Sequence, residues 1–238
     1  EKHPTREKGF YRLFHGHKYL YDGDEKNLAM SQILSDFLLH GSYEPESTKI
    51  IEENVKEGDV CVDVGASHGY FTLLMAKQVG ASGHVYAVEP TKNQLEYLKE
   101  NIKANGYEDR VTVLPFGAWA YSTHAELKTN KGTDAISETH ALDTKLPAKV
   151  DFIKIDTDGA EPMVLKGLET TIQNNPQLKL IIEYYPKYIK NLNQSPEEMI
   201  EFLDKYFTYE KIGNDLNATD YWNYYATRKQ DSQLRMSG

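Results

Sequence analysis

The sequence predicts one α/β fold: a mostly parallel sheet of seven strands, helices on both faces, and an antiparallel C-terminal edge. Three observations carry that expectation. Short apolar runs at residues 60–64, 84–88, 110–114, 152–155 and 178–183 alternate with helical periodicity, the pattern of β-α-β units. The best of these runs are continuous rather than alternating, as in parallel strands buried on both faces. Two further runs, 209–212 and 221–227, close the chain with no helix between them, which suits an antiparallel edge.

Element by element, residues 10–21 suggest an irregular edge hairpin punctuated by Gly16 and Gly23. Asp24 is a fair N-cap for a helix whose apolar positions Leu28, Met30, Ile33, Leu34, Phe37 and Leu38 recur near helical spacing, with Gly41 ending it. A short helix is expected over 46–55, and Gly58-Asp59 leads into the strand 60–64. Helix 70–78 stops before Gly80 and Gly83, and strand 84–88 follows. Thr91 caps a helix reaching about residue 105, with Leu95, Leu98 and Ile102 on one face. After strand 110–114 the signal turns irregular between Gly117 and Pro147, with weak strand pieces at 125–127 and 140–142. Strand 152–155, helix 160–174, strand 178–183 and helix 196–206 complete the alternation. Residues 1–45 are expected to form an N-terminal cap, and 46–238 the main domain.

Composition narrows the function. The net charge is −9, with Lys+Arg 27 against Asp+Glu 36. Such a chain lacks the basic footprint that phosphate neutralisation demands, which argues against duplex nucleic acid as partner. The single cysteine, Cys61, allows no intrachain disulfide and reads as a small buried hydrophobe. No apolar stretch reaches the roughly 20 residues of a bilayer span, so no membrane partner and a cytoplasmic location are expected.

The loop Gly65-Ala66-Ser67-His68-Gly69 joins the first buried strand to its helix, the place where open α/β sheets bind ligands. Gly65 permits the tight turn and close backbone approach, and Gly69 permits close packing at the helix start. Glu89 ends the second strand at roughly the 20-residue offset from which an acidic side chain accepts ribose hydroxyls. Asp63, inside the first strand, is a buried carboxylate that needs partners. The cationic amino group of S-adenosylmethionine is a natural one, and loop amides are the bland alternative. A dinucleotide site would use Gly-x-Gly-x-x-Gly to cradle pyrophosphate. Here Ala66 and His68 add bulk, and the only Tyr-x-x-x-Lys pair, Tyr225/Lys229, is misplaced for a nucleotide-dependent oxidoreductase. The methyl donor is the better fit.

These segments also resemble a family. Tyr43-Glu44-Pro45, Val62 through Thr72, Val88-Glu89-Pro90, Leu142-Asp143, Phe152 through Glu161, Val164-Leu165-Lys166-Gly167 and Ile181-Ile182-Glu183 are similar in order and spacing to the FkbM-type methyltransferases over about residues 40–190. The segment Asp156-Thr157-Asp158-Gly159-Ala160-Glu161 is the most specific part. Two departures stand out: Ser67-His68 where the family favours Asn-x, and Thr157-Asp158 where it favours Val-Glu. The resemblance implies a Rossmann-like class I methyltransferase fold, S-adenosyl-L-methionine as cofactor, and a hydroxyl as typical acceptor. It adds Glu44, Tyr70 and Pro90 to the cofactor-binding set.

A hydroxyl acceptor needs its proton removed by a base or a metal. Asp156, ending the fourth strand on the ligand side, is the leading candidate and also borders the cofactor. Glu183, closing the fifth strand, is its companion, and His68 is a third candidate. Asp158 and Glu161 stand at a helix N-terminus, where carboxylates suit the dipole anyway. Asp156 with Glu183 is similar to the paired carboxylates of Mg²⁺-dependent methyltransferases, but a hard cation wants several oxygens and Tyr184 is a poor third ligand. A divalent metal is therefore not favoured. Gly117-Ala118, after the third strand, would let an adenine ring lie flat, although a plain turn explains them nearly as well. The aromatic stretch 221–225 suits stacking on an acceptor or packing at a sheet edge. The resulting expectation is O-methylation of a small molecule or carbohydrate. The alternatives are an oxidoreductase and a catalytically silent S-adenosylmethionine-binding partner protein.

Overall fold

The computed structural model describes residues 10–21, 28–123, 138–213 and 220–230. Asp24 and the weak strand piece at 125–127 lie outside the described residues.

Strand β1 (Phe10–Phe14) pairs antiparallel with β2 (His17–Tyr21). The two-residue turn between them is His15-Gly16, both with positive φ (49° and 81°), as a hairpin turn matched to strand twist requires. Helices α1 (Leu28–His40) and α2 (Pro45–Asn54) precede the first sheet strand, β3 (Val60–Val64). Then come α3 (Tyr70–Val79), β4 (His84–Val88), α4 (Lys92–Ala104) and β5 (Val111–Leu114). The irregular region contributes β6 (Gly117–Ala118) and β7 (Thr139–His140), a two-strand parallel ladder apart from the main sheet. Strand β8 (Phe152–Ile155) returns to the main sheet.

The helix expected over 160–174 is two helices, α5 (Glu161–Lys166) and α6 (Glu169–Asn174). The break falls at Gly167, where a Cβ would lie 2.1 Å from the Trp119 carbonyl oxygen. Strand β9 (Lys179–Tyr184) is followed by a helix that periodicity did not reveal, α7 (Pro186–Asn191), and by α8 (Pro196–Tyr206). Strands β10 (Phe207–Ile212) and β11 (Trp222–Arg228) close the fold.

The seven-stranded order is β10-β11-β9-β8-β3-β4-β5. Six strands run in one direction, and only β11 is reversed, antiparallel to both its neighbours, β9 and β10. The closing pair thus forms the antiparallel edge, with β11 inserted inside β10. After β3 the chain builds outward through β4 and β5, then returns to place β8 on the other side of β3. The crevice outside the carboxyl ends of β3 and β8 is the topological switch point where such sheets bind ligands.

The two-residue period of the strands gives each sheet face its own core. Cys61, Phe152 and Ile181 belong to the face covered by α2, α3 and α4, together with Ile51, Leu73, Leu74, Leu98 and Tyr19. Val62, Val64, Ile153, Ile155, Leu180 and Ile182 belong to the face covered by α5 to α8, with Val164, Leu165, Met199 and Leu203. The N-terminal hairpin docks on α4 through two asparagines one turn apart. Asn101 Oδ1 accepts from Leu20 N at 2.7 Å, and Asn105 bonds both Lys18 N and Lys18 O. Among the described residues no helix is long and apolar enough to cross a membrane.

Candidate active site

Gly65 opens the loop at the switch point with φ +86°, and a Cβ there would lie 1.8 Å from the Asp156 carbonyl oxygen. Only glycine tolerates both the conformation and the approach. The amides of Gly65 and Ala66 both donate to Val88 O, at 2.9 and 3.0 Å. Ser67 (φ 50°) then turns its amide onto Glu89 Oε2 at 2.9 Å, while Glu89 Oε1 accepts from Thr91 N at 2.8 Å. Glu89 is thus buried across the start of two loops. Burial raises its carboxyl, against the hydrogen bonds from Thr91 and Ser67. Each oxygen accepts one amide in these bonds and keeps further acceptor capacity.

His68 in the loop and Tyr70 at the start of α3 are both buried. His68 is buried with its ring 4.6 Å from that of Tyr97, its Nδ1 is 3.1 Å from Ser67 Oγ, and its carbonyl accepts from Asn101. It packs on α4 and lies outside the Asp156–Asp158–Glu183 group. Tyr70 is likewise an anchor: its hydroxyl meets Tyr43 N and Thr48 Oγ1, and its ring stacks on Tyr19. Pro90 is partly exposed beside Glu89. Gly117 and Ala118 are buried in the β6–β7 ladder, where Gly117 N donates to Glu138 O.

The charged centre lies one alternation step beyond the apolar face of β3, β8 and β9. Asp63 is 2% exposed and accepts from Thr72 Oγ1 at 2.5 Å. Burial pushes its carboxyl up to about 6, opposed by Lys154 and the Thr72 bond. Lys154, its cross-strand neighbour, is also 2% exposed, and its Nζ lies 2.9 Å from Asp156 Oδ2 and 4.3 Å above the Phe71 ring. Burial opposes its charge, but Asp156, Glu44 and Asp63 more than offset that and hold the ammonium above the usual lysine value. Sequence reasoning passed over Lys154; the signal available was a lone cation inside the apolar run Phe152-Ile153-Lys154-Ile155.

Glu44 reaches the same centre from the turn before α2. Its backbone is left-handed (φ 40°, ψ 73°), a conformation costly for a residue with a Cβ, and its Oε2 accepts from Asn223 Nδ2 at 2.9 Å. Burial raises its carboxyl and Lys154 counters. Beside it, burial and then the charges of Glu44, Asp156 and Glu183 push the Tyr43 phenol well above its ordinary value. Tyr43 is thus a second residue of the centre that sequence reasoning did not single out.

Asp156, Asp158 and Glu183 bring one oxygen each within 4.8 Å of one another, all partly buried. A hard divalent cation takes about six or more oxygens; three carboxylates supply part of that set, and Lys154 already sets a positive charge against Asp156. Asp158 is carried on a strained turn: its φ is 56°, and Gly159 at φ 110° has a Cβ position only 2.4 Å from Tyr188 O. Glu161 fixes that turn. Its Oε1 accepts from Thr157 N, Thr157 Oγ1 and Gly159 N, while Oε2 is buried with no hydrogen-bond partner among the described residues. Burial pushes this carboxyl up to about 7.

The sheet order, the glycine loop at its switch point and the acidic residue closing the next strand define the class: an S-adenosylmethionine-dependent methyltransferase of class I fold. The family model of the methyltransferase FkbM domain matches residues 63–211, well over half of the chain, and the chain belongs to that family. The oxidoreductase alternative is thereby overturned. Among solved structures, a methyltransferase FkbM from Methylobacillus flagellatus is 18% identical with a TM-score of 0.55, over 82% of this chain and 52% of that one. A SAM-dependent methyltransferase from Aquifex aeolicus is 21% identical with a TM-score of 0.51, over 87% of this chain and 99% of that one. These likenesses are of fold. The protein-L-isoaspartate O-methyltransferase of Methanosarcina mazei is 33% identical over 69 residues, 29% of this chain and 28% of that protein. The chain thus spans little more than a quarter of that relative's length.

Proposed function

We propose that the chain O-methylates a neutral hydroxyl of a small molecule or carbohydrate, with Asp156 as proton acceptor and Glu183 orienting the hydroxyl. The observation that carries this reading is the carboxylate group Asp156, Asp158 and Glu183, gathered beside the donor loop with a buried lysine against one member. The residues present suit the donor: the loop 65–69 would bed its methionine half, Asp63 its amino group, Glu89 its ribose hydroxyls, and Gly117 and Ala118 its adenine. Glu44, through Asp63 and Lys154, would fix the charge balance there. When bound, S-adenosylmethionine supplies an electrophilic methyl group on a sulfonium. The donor would supply the methyl group to the acceptor oxygen; Asp156 would accept that oxygen's proton, its carboxylate oriented by the Lys154 ammonium at 2.9 Å. Holding the hydroxyl in line is itself worth several powers of ten in rate.

Charge argues for a neutral acceptor. An anion approaching three carboxylates in a chain of net charge −9 is repelled, so neither a polynucleotide nor a free carboxylate suits the site. Residues 1–45 are read as a cap over the domain 46–238. The test pairs donor titration with turnover on sugars, macrolides and phenols. Asp156→Asn is expected to keep most donor affinity and lose transfer by about 10²–10⁴-fold. Full turnover in that variant overturns the assignment.

A further inference from the structure

The carbonyl of His68 is held from outside the glycine loop. Asn101 on α4 is fully buried; its Nδ2 donates to His68 O at 2.8 Å, and its Oδ1 accepts from Leu20 N on β2 at 2.7 Å. We infer that Asn101 is a positioning residue for the methyl donor. The N-terminal hairpin, by fixing the Asn101 amide, thus makes donor affinity depend on a segment that lies before the methyltransferase FkbM domain; this rests on reading loop 65–69 as the bed of the donor's methionine half.

The loop needs such a hold. Its path takes Ser67 to φ 50° and Gly69 to φ 91°, and a left-handed serine persists only where its surroundings fix it. The end of β4 fixes the first half, since Val88 O takes the amides of Gly65 and Ala66, and Glu89 takes that of Ser67. The second half leans on α4. The His68 ring lies 4.6 Å from that of Tyr97, a Cβ at Gly69 would come within 2.7 Å of Leu98 Cδ1, and Asn101 holds the carbonyl between them. That bond orients the peptide plane carrying the Gly69 amide, which donates to Ala66 O at 2.8 Å. A loop already held in its binding shape loses less conformational freedom when the ligand arrives.

The hairpin decides which way the amide faces. A side-chain amide has one accepting end and one donating end. The Leu20 N–H requires the oxygen on the hairpin side, which turns the NH2 group toward His68. The hairpin reaches the far side of Gly69 as well. The wholly buried Tyr19 stacks on Tyr70 at 6.0 Å and 18°, and Tyr70 is the first residue of α3. Asn105, one turn beyond Asn101, provides an internal control, because its side chain bonds Lys18 N, Lys18 O and Asn101 O.

Calorimetric titration of the full chain with S-adenosylmethionine tests the assignment. Asn101→Asp keeps an acceptor for Leu20 N and sets a second oxygen against the His68 carbonyl. That variant and Asn101→Ala should each weaken the donor about five- to tenfold, the effect of one buried hydrogen bond. Asn105→Ala should loosen the hairpin at Lys18 and leave donor affinity unchanged. Hydrogen exchange on the unaltered chain gives a second readout that does not depend on the variants folding. By reciprocity, donor saturation should slow the Leu20 amide about five- to tenfold more than the Lys18 amide, whereas a merely structural Asn101 leaves the two slowed alike. Parent-like affinity in both Asn101 variants, an equal loss in Asn105→Ala, or equal slowing of the two amides overturns the inference. Gly65→Ala separates this failure from that of the underlying reading. Unchanged donor affinity in Gly65→Ala removes the loop as donor bed, whereas affinity lost there and kept in both Asn101 variants removes only the positioning role.

Discussion

Replacing Lys154 by Met is expected to expose how the charged centre is held together. The side chain is 2% exposed, and its ammonium is 2.9 Å from Asp156 Oδ2 with Asp63 and Glu44 as further counter-charges. Methionine fills similar volume but leaves those carboxylates without their common cation. Breaking a buried ion pair from one side costs about 3–5 kcal/mol, because the remaining charge is uncompensated. With a urea slope on the order of 3 kcal/mol per M, the unfolding midpoint should fall by about 1–2 M at pH 8. The sign of the pH dependence follows from Asp63. Its folded carboxyl already sits at about 6, above the unfolded value of 3.8, so its contribution is present below 3.8 and lost as pH rises through 6. Removing Lys154 takes away the charge that holds Asp63 and Glu44 down, so both rise further and the variant's deficit should shrink between pH 8 and pH 5 as they protonate. Urea titrations at both pH values measure it. Adding Asp156→Asn to Lys154→Met should recover at least 1 kcal/mol relative to additivity. A variant as stable as the parent at pH 8, a deficit equal at both pH values, or strict additivity would refute the argument.

Gly65→Ala should abolish measurable donor binding in calorimetry, because its Cβ would collide with the Asp156 carbonyl at a positive φ, whereas Gly106→Ala (φ +69°, open space around its Cβ) should cost some stability and no affinity. Glu89→Ala strips an acceptor from the Ser67 and Thr91 amides and is expected to weaken donor binding by at least tenfold, roughly the 1–3 kcal/mol of an unsatisfied buried group; unchanged affinity would remove Glu89 from the donor site. Glu161, with a folded carboxyl at about 7 against 4.5 when unfolded, contributes stability present below 4.5 and lost as pH rises through 7, on the order of 3 kcal/mol in all. Melting temperatures of Glu161→Gln between pH 5 and 8 should therefore decline less steeply than the parent's.

The alternation of strands and helices was legible because parallel strands buried on both faces are continuous apolar runs, and helices that cover them keep a regular stripe. The glycine loop was legible for a related reason: position 65 sets a backbone requirement that only glycine meets, and it shows as a glycine directly after a strand. What stayed hidden depends on contacts between distant segments. Periodicity runs straight through 160–174, and only the Trp119 carbonyl against Gly167 reveals why two helices stand there. Helix α7 is six residues long, too short for a stripe. The insertion of β11 between β9 and β10 is a matter of pairing, which strand composition does not encode. His68 drew notice as a titratable group in a loop, yet its environment is set by Tyr97 and Asn101 on α4.

The charged centre shows how the two kinds of information combine. On β3 the inward face reads Cys61 then Asp63; on β8 it reads Phe152 then Lys154; on β9 it reads Ile181 then Glu183. On β3 and β8 the change from apolar to charged falls at one level, with Asp63 opposite Lys154, whereas on β9 Ile181 stands opposite Lys154 and Glu183 follows two residues later. Asp63 meets Lys154 directly across the strand pair, and β11 sets Asn223 opposite Glu183, where its amide holds Glu44. A one-residue slip of β8 would carry Lys154 to the other face, among Val62, Val64, Ile182 and Leu180 and away from Asp63. The buried charges therefore act as a register key as well as a chemical site. The observed alignment sets Asp63 opposite Lys154, Lys154 against Asp156, and the Asp156 carbonyl against Gly65.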